Sequence, residues 1–475
     1  MSSILALAVL FGMACDPNAE MVDPDSGQVV TPDGEQVAAA PDMGADVPAA
    51  NDSEPVAAAP DEGAEAPAVD DSEPVAAAPD EGGDAPTAPE LIAAVPDADA
   101  DAPAADGSEP VAAQPAPAPS SDSPTATAAA TTPLRTVAAW ESLFLGRWNT
   151  EHNADYLPRS NSLDSWQFYN LAYGIDANTA MYRATGKTQY LDRALLYVNN
   201  MVRNAKLSSS LPQSQFKDSY LGWASQRSDT LGKEVPLFES YCWRYVTRML
   251  RVIRETPTLY GNATYRAQYD RLLAFSEKNI FEKWHRRGAN SFIYRNRTHM
   301  ASHWAYIAMD LSRMTTDATR KATYLTVFNN INRDLPNSTS SLRQQLRPGF
   351  VSTPTYYWSD VWGSTARPGQ DVAHANGMLA YIVEAHDAGM EWTDDDIRKF
   401  TATLNSVIWP SATRYATYVD GSGTGNGWFN DGLMKLGRYD ANLQRRLEAH
   451  RVGNNIMFYA NGALNARILS GLATP

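Results

Sequence analysis

Residues Leu163–Lys206 read LDSWQFYNLAYGIDANTAMYRATGKTQYLDRALLYVNNMVRNAK, and they decide the fold class. Apolar residues recur in this stretch at every third or fourth position, which is the spacing of one face of an α-helix. The pattern breaks at ATGKTQY, which contains Gly186, and a second amphipathic run begins at Tyr190. The stretch therefore predicts a helical hairpin.

The same plan returns along the chain in segments that begin at Leu237, His299, Val372 and, more weakly, Gly427, at intervals of about 50 to 75 residues. No comparable series of alternating strands is present, which disfavours a β-helix or a propeller. Repeated helical hairpins form either an open solenoid or a closed toroid. The sequence therefore predicts an all-α array.

Polar and aromatic residues stand at equivalent places near the hairpin starts, but they differ from one hairpin to the next. These residues are Trp166 and Tyr169; Glu239, Tyr241 and Trp243; Asn296, His299 and His303; Asp371, His374 and Asn376; and Trp428, Asn430 and Asp431. Different polar groups at equivalent helix ends favour a ring of helices whose ends share one central cleft. A toroid is therefore preferred over an open solenoid.

Charge divides the chain into two unlike parts. Residues 1–134 contain no Lys or Arg and hold 26 of the 55 acidic residues. Residues 135–475 therefore contain the other 29 acidic residues and all 39 basic residues. The segment DSEPVAAAPDEG occurs at Asp52 and again at Asp71. Such an acidic, Ala- and Pro-rich repeat cannot bury enough apolar area to fold, so residues 16–134 are predicted to be a disordered linker. The body carries a charge of about +10 and suits an anionic partner.

The first 15 residues, MSSILALAVLFGMAC, are too short for a transmembrane helix but suit the apolar region of an export signal. Cys15 follows Gly-Met-Ala, which resembles a bacterial lipoprotein cleavage site, and would then carry the lipid. The segment has no basic residue before the apolar run. Cys242 is the remaining cysteine, so a disulfide inside the body is excluded. We expect a secreted or envelope-tethered monomer.

Three segments carry a resemblance to a known family: ATGKTQYLDRAL, NRTHMASHWAYIAMDL and YYWSDVWGSTARPGQDVAHANGMLAYIVEAHDAG. They resemble the hairpin linker, the Asn/His helix and the Tyr/Arg/His segment of the (α/α)-toroid polysaccharide lyases, such as alginate and glucuronan lyases. The resemblance implies an incomplete (α/α) toroid over residues 135–475 that cleaves a uronic-acid polysaccharide by β-elimination. The Asn and His that are adjacent in alginate lyases are separated here by Arg297 and Thr298.

A uronate lyase must neutralise the sugar carboxylate, remove the neighbouring proton and return a proton to the leaving oxygen. Tyrosine is the preferred base and acid here, with Asn and His neutralising the carboxylate and Arg367 positioning the chain. The predicted catalytic residues are Tyr357, Tyr356, His303, His299 and Asn296. The predicted substrate-binding residues are Glu239, Arg297, Arg367, His374, Asn376, Trp358 and Trp243.

Other interpretations remain open at this stage. His299 and His303 share a helix face and could bind zinc, but no Glu lies between them as in a His-Glu-x-x-His metalloprotease, and no metal or cofactor is predicted. Asp371 could cap a helix, with His374 and Asn376 in a buried network. A glycoside hydrolase would need two carboxyl groups across the cleft, and a non-catalytic carbohydrate-binding protein is the third alternative. Nucleic-acid binding is disfavoured because Lys and Arg are scattered.

Overall fold

The computed structural model describes residues 133–475, except residue 453, and two short strands near the N-terminus. These strands, β1 (Met21–Val22) and β2 (Val29–Val30), pair antiparallel and belong to a unit separate from the helical domain. The expected export signal with Cys15 lies outside the described residues. So does the expected disordered segment 16–134, apart from these strands and residues 133–134.

The described body is built from helices joined by loops. In chain order they are α1 (Val137–Glu151), α2 (Leu157–Ser160), α3 (Phe168–Thr185), α4 (Thr188–Asn204), α5 (Pro236–Glu255), α6 (Pro257–Tyr260), α7 (Ala263–Phe275), α8 (Lys283–Phe292), α9 (Thr298–Met314), α10 (Ala318–Arg333), α11 (Leu342–Gln345), α12 (Val372–Asp387), α13 (Asp394–Thr403), α14 (Gly432–Lys435), α15 (Ala441–Ala449) and α16 (Ile456–Leu469). Two small antiparallel ribbons interrupt them: β3 (Lys206–Leu207) with β4 (Leu221–Gly222), and β5 (Arg347–Pro348) with β6 (Tyr356–Tyr357).

Within the described body, α3, α5, α9, α12, α14 and α16 form an inner ring. Each packs against the next, and α16 packs against α3. The fifth position is the shortest, because α14 has four residues and continues into a 3-10 turn, Leu436–Tyr439. Helices α4, α7, α10, α13, α15 and α1 lie outside the ring. The all-α toroid of helical hairpins predicted from the sequence is confirmed.

The residues that a helix buries depend on whether the helix lies in the inner ring or outside it. Inner helix α9 is buried along nearly its whole length, including polar residues such as Ser302 and Asp310. Outer helix α10 buries one stripe, Tyr324, Val327, Phe328 and Ile331, at the spacing expected of an amphipathic surface helix. The inner ring therefore holds the polar groups that are enclosed by the fold.

Two glycines allow the hairpins to close. Gly186 ends α3 in the left-handed region with φ 75° and turns the chain into α4, as the sequence break predicted. Gly432 begins α14 against α12, where an added Cβ would lie 2.2 Å from the backbone nitrogen of Ala380. A side chain at that position would separate the two inner helices.

The inner helices all begin at one end of the ring, because each hairpin returns the chain through an outer helix. Side-chain contacts at this end join Tyr169 of α3 to Tyr241 of α5, Tyr241 to His303 of α9, and His299 of α9 to His374 of α12.

In the described residues, no helix is long and apolar enough to cross a membrane.

Candidate active site

The first turn of α9 holds a histidine that is paired with a carboxylate. His299 Nδ1 lies 2.7 Å from Asp360 Oδ1, and the backbone N–H of Thr298 donates to the carbonyl of Asp360 at 2.9 Å. A carboxylate only accepts hydrogen bonds, so Nδ1 carries the ring proton. Nε2 is then the basic nitrogen, and it is buried without a hydrogen-bond partner.

Two further groups fix this carboxylate. The Gln370 amide donates to Asp360 Oδ1 at 2.9 Å, and Arg297 Nη1 donates to Asp360 Oδ2 at 2.9 Å. The indole N–H of Trp358 in turn donates to the Gln370 amide oxygen at 2.5 Å. Asp360 is therefore held on both oxygens and cannot turn away from His299.

A second histidine–carboxylate pair lies beside the first. Asp371 caps α12 by accepting from the backbone N–H of His374, and its other oxygen lies 2.6 Å from His374 Nδ1. The rings of His374 and His299 are 4.1 Å apart, centroid to centroid. At the start of α12, Asp371 therefore caps the helix, and the ring of His374 contacts the ring of His299.

His303 follows His299 by one helical turn and lies deeper in the ring. Its ring meets Tyr241 edge to face at 5.3 Å and is 6.3 Å from the ring of His299. Its Nδ1 is buried without a hydrogen-bond partner. His299, His303 and His374 together are called the histidine cluster below.

A fully buried arginine supports the cluster from α5. Arg244 donates to the carbonyls of Tyr241 and Gly377 and forms an ion pair of 3.1 Å with Asp431. The hydroxyl of Tyr245 donates to the other oxygen of Asp431 at 2.5 Å. These bonds tie α5, α12 and α14 together directly behind His303.

Burial and neighbouring charges keep His303 and His299 neutral. Burial, followed by the charge of Arg244, holds the pKa of His303 well below its usual value. Burial and the neighbouring His374 lower the pKa of His299, against the opposing effect of Asp360. Burial alone would raise the pKa of Asp360, but His299 and Arg297 bring it below its usual value. Neutral histidines beside an ionised carboxylate are suited to accept a proton.

Aromatic side chains extend from the histidine cluster along the starts of α3 and α5. Tyr241 stacks on Tyr169 at 4.2 Å, and Trp166 lies 4.8 Å from Tyr169. Trp166 and Tyr241 are partly exposed, while Phe238 and Met300 are buried beneath them. Rings of this kind offer apolar faces on which sugar rings can pack.

The structure brings five of the sequence-predicted residues together here. His299, His303 and His374 form the cluster, Arg297 holds Asp360, and Trp358 holds Gln370. A sixth predicted residue, Asn376, is buried in α12, the helix that also carries His374. Its amide donates to the carbonyl of Trp428 at 3.0 Å and accepts from the backbone of Leu433 at 3.1 Å, so it joins α12 to the segment around α14.

The hydroxyls of the two predicted tyrosines are engaged outside the cluster. Tyr356 donates to Asp396 of outer helix α13 at 2.7 Å, and Tyr357 donates to the carbonyl of Ala366. Burial, then the bond to Asp396, raises the pKa of Tyr356 above its usual value. A high pKa suits a structural hydroxyl better than a base.

Other predicted residues have different surroundings. Glu239 is fully buried and binds Lys283 at 2.8 Å and the indole of Trp284 at 2.7 Å, both on outer helix α8. Trp243 is also buried and donates to Ser276 at 2.9 Å between α5 and the end of α7.

Two predicted residues are exposed. Arg367 is exposed and pairs with Asp420 at 2.6 Å. Asn296 is exposed two residues before α9 begins.

Sequence reasoning missed Asp360, Gln370 and Arg244. Asp360 lies 61 residues after its partner His299, in the loop that follows Tyr356 and Tyr357. The segment YYWSD was noted for its tyrosines, and its Asp was the informative residue. Within the described residues, no group of three or more His, Cys, Asp or Glu side chains is arranged to hold a metal ion.

No protein-family model matches this sequence, and no curated protein matches it. Among solved structures, the chain is similar to a polysaccharide lyase, with 12% identity and a TM-score of 0.38 over 71% of this chain and 99% of that one. It is also similar to an inactive variant of the α-1,6-mannanase of Salegentibacter sp. HEL1_6 in complex with α-1,6-mannotetrose. That likeness has 14% identity and a TM-score of 0.39 over 70% of this chain and 98% of the mannanase.

Proposed function

We propose that the chain is a carbohydrate-active enzyme and, more specifically, a lyase that cleaves a uronic-acid polysaccharide by β-elimination. The observation that carries the proposal is the His299–Asp360 pair, because it leaves a basic nitrogen, Nε2, without a partner at the end of the toroid where the inner helices begin. A base of this kind can take the proton next to a uronate carboxylate.

The proposed reaction divides the roles among this chain's own side chains. His299 Nε2 accepts the proton from the carbon that bears the carboxylate, and the C–O bond to the neighbouring sugar then breaks. The leaving oxygen takes a proton from Tyr241, whose ring is partly exposed beside His303. In this proposal Tyr241 replaces Tyr356 and Tyr357 as the catalytic tyrosine, and His299 replaces tyrosine as the base.

Stabilisation of the developing enolate needs positive charge near the sugar carboxylate. Arg295, Asn296 and Arg297 immediately precede α9, and all three are at least partly exposed. The first turn of α9 adds the positive end of a helix dipole. We assign the carboxylate to this segment, with His374 as a further hydrogen-bonding group. The body charge of about +10 would attract an acidic polymer.

The surroundings of the carboxylates favour a lyase over a glycoside hydrolase. Asp360 binds His299 and Arg297, Asp371 binds His374, and Asp431 binds Arg244. A hydrolase needs one carboxyl group that donates a proton and a second that acts as nucleophile or base. On the hydrolase side, burial raises the pKa of Asp431, as it does the pKa of Glu239.

We extend the proposal to the N-terminal residues. The apolar segment that ends at Cys15 supports a secreted or envelope-tethered protein, and the acidic repeat supports a linker between tether and enzyme. No partner other than the polysaccharide is proposed.

A panel of acidic polysaccharides, including glucuronan and alginate, tests the function. We expect one of them to yield unsaturated products that absorb in the ultraviolet. We expect His299→Gln to lower turnover about 10² to 10⁴-fold, the usual contribution of a general base. His386→Gln is the matched control, because His386 lies near the opposite end of α12 and binds Tyr439 and Asp394.

The alternatives give different results in the same experiment. New reducing ends without ultraviolet absorbance would replace the lyase by a hydrolase. Binding without any cleavage would leave a non-catalytic carbohydrate-binding protein. Full activity of His299→Gln on the cleaved polymer would remove His299 as the base.

A further inference from the structure

A cavity opens at the end of the toroid where the inner helices begin, which is also the end that carries the histidine cluster. Its volume is about 300 Å³. It lies between inner helices α3 and α16 and the end of α1. The side chains that define it are Arg147, Glu151, Asp155, Arg159, Asn170 and Tyr173. We call it the Tyr173 cavity.

Tyr173 connects this cavity to the histidine cluster. The Tyr241 hydroxyl donates to the Tyr173 hydroxyl at 3.4 Å, and the two rings are 6.4 Å apart. Tyr241 in turn meets His303 at 5.3 Å. Two successive aromatic contacts, Tyr173 with Tyr241 and Tyr241 with His303, therefore link the cavity to the proposed reaction centre.

The polar lining has the chemistry of a sugar-binding site. Arg147 pairs with Glu151 at 2.5 Å and Arg159 with Asp155 at 2.5 Å, and all four side chains are between about one fifth and two fifths exposed. The Asn170 amide lies 3.2 Å from the Arg159 guanidinium. Planar groups that are fixed in this way present donors and acceptors side by side, as the neighbouring hydroxyls of a sugar require.

Aromatic side chains complete the cavity. Tyr156 lines it together with Tyr173, and both rings are nearly buried. Ligand sites commonly combine such apolar walls with a few fixed polar groups. The two ion pairs balance the charge of the lining, which suits uncharged hydroxyl groups better than a carboxylate.

We infer that the Tyr173 cavity is a remote subsite that binds another sugar unit of the polysaccharide whose cleavage is proposed above. This inference rests on the proposed function for the identity of the glycan class. It implies that the enzyme acts better on chains that are long enough to reach from the histidine cluster, past Tyr241, into the cavity. Arg159 and Asn170 would then determine the preference for chain length.

The test compares Arg159→Gln and Asn170→Ala with the native full chain on glucuronan, alginate and a ladder of their oligosaccharides. On the polymer that is cleaved, we expect KM to rise about tenfold in Arg159→Gln, because a hydrogen bond from a charged group contributes about this much to binding, and to rise less in Asn170→Ala, whose amide is neutral. The kcat should be unchanged in both variants. The shortest oligosaccharides that are still cleaved should show no change. Arg398→Gln is the matched control, since Arg398 forms an exposed ion pair with Asp395 on outer helix α13.

Each outcome separates this inference from the proposed function. Cleavage with the same KM for native and variant chains, or with an equal rise at every chain length, would overturn the subsite while leaving the lyase intact. If nothing is cleaved, calorimetric titration with the same oligosaccharides replaces kinetics. Weaker binding of long oligosaccharides by the variants then supports the subsite without the lyase, and equal or absent binding overturns it.

Discussion

Replacing Asp360 by Asn keeps the shape of the side chain and removes its charge. In the native protein, Oδ1 accepts from His299 and Gln370, and Oδ2 accepts from Arg297. An asparagine has one accepting oxygen. Because a charge-assisted hydrogen bond is roughly twice as strong as a neutral one, we expect this oxygen to face Arg297 and the NH2 group to face His299.

The consequence of this orientation falls on the ring proton of His299. The NH2 group donates to Nδ1, so the proton moves to Nε2, the nitrogen that must accept a proton from the sugar. The full contribution of a general base is then lost, about 10² to 10⁴-fold in kcat. This loss corresponds to about 3 to 6 kcal/mol of activation free energy at about 1.4 kcal/mol for each factor of ten.

The assay is the initial rate of ultraviolet absorbance on the cleaved polysaccharide, with circular dichroism to show that the variant is folded. The double variant Asp360→Asn/His299→Gln should be no slower than the worse single variant, because the two residues act as one unit. A kcat of Asp360→Asn within twofold of native would refute the reasoning. Losses that multiply in the double variant would show that the two residues act independently.

Three further variants test the histidine cluster, the two predicted tyrosines and a buried ion-pair network. The pKa of His303 is lowered in the folded state, so at a pH below about 6.5 the histidine is protonated in the unfolded chain before it is protonated in the folded one. The urea midpoint of unfolding should therefore drop between pH 7.5 and 5.5. The drop should be smaller in His303→Asn. Tyr356→Phe and Tyr357→Phe should keep native kcat, with Tyr356→Phe losing about 1 kcal/mol of stability in urea unfolding because its bond to Asp396 is removed; a large loss of turnover would restore a tyrosine base. Glu384 of α12 is buried and pairs with Arg183, Arg248 and Arg438. Glu384→Gln should therefore cost about 3 to 5 kcal/mol in the same measurement, because these arginines are left without their carboxylate, and an unchanged midpoint would contradict this.

Much of the fold could be predicted because its signals are local. The three- and four-residue spacing of apolar side chains sets each helix, and Gly186 marks the turn between α3 and α4. The ring itself could be inferred from the different polar residues at equivalent helix starts. The pair His299 and His303 was found for the same reason, since residues four apart share a helix face.

The rest of the site depends on contacts between distant segments. Asp360 stands in a loop whose path the sequence pattern does not determine, and Tyr356 and Tyr357 in the same loop turn their hydroxyls elsewhere. In the sequence, Arg244 is one of several basic residues in an amphipathic helical pattern. Its position on the inner helix α5 buries it against Asp431. Glu239 shares that helix and faces outward to Lys283. Helix rotation and loop path decide such roles, and both are tertiary properties.

The packing of α16 against α3 has a consequence for how the protein is made. Asp176 of α3 accepts from Lys435 and Asn461, which lie 259 and 285 residues further along the chain. During synthesis, the surface of α3 that contacts α16 therefore stays uncovered until residue 461 and its neighbours have left the ribosome. Contacts between such distant residues slow folding and prolong exposure to aggregation. The first hairpin of the ring is therefore covered only after the residues of α16 have been synthesised.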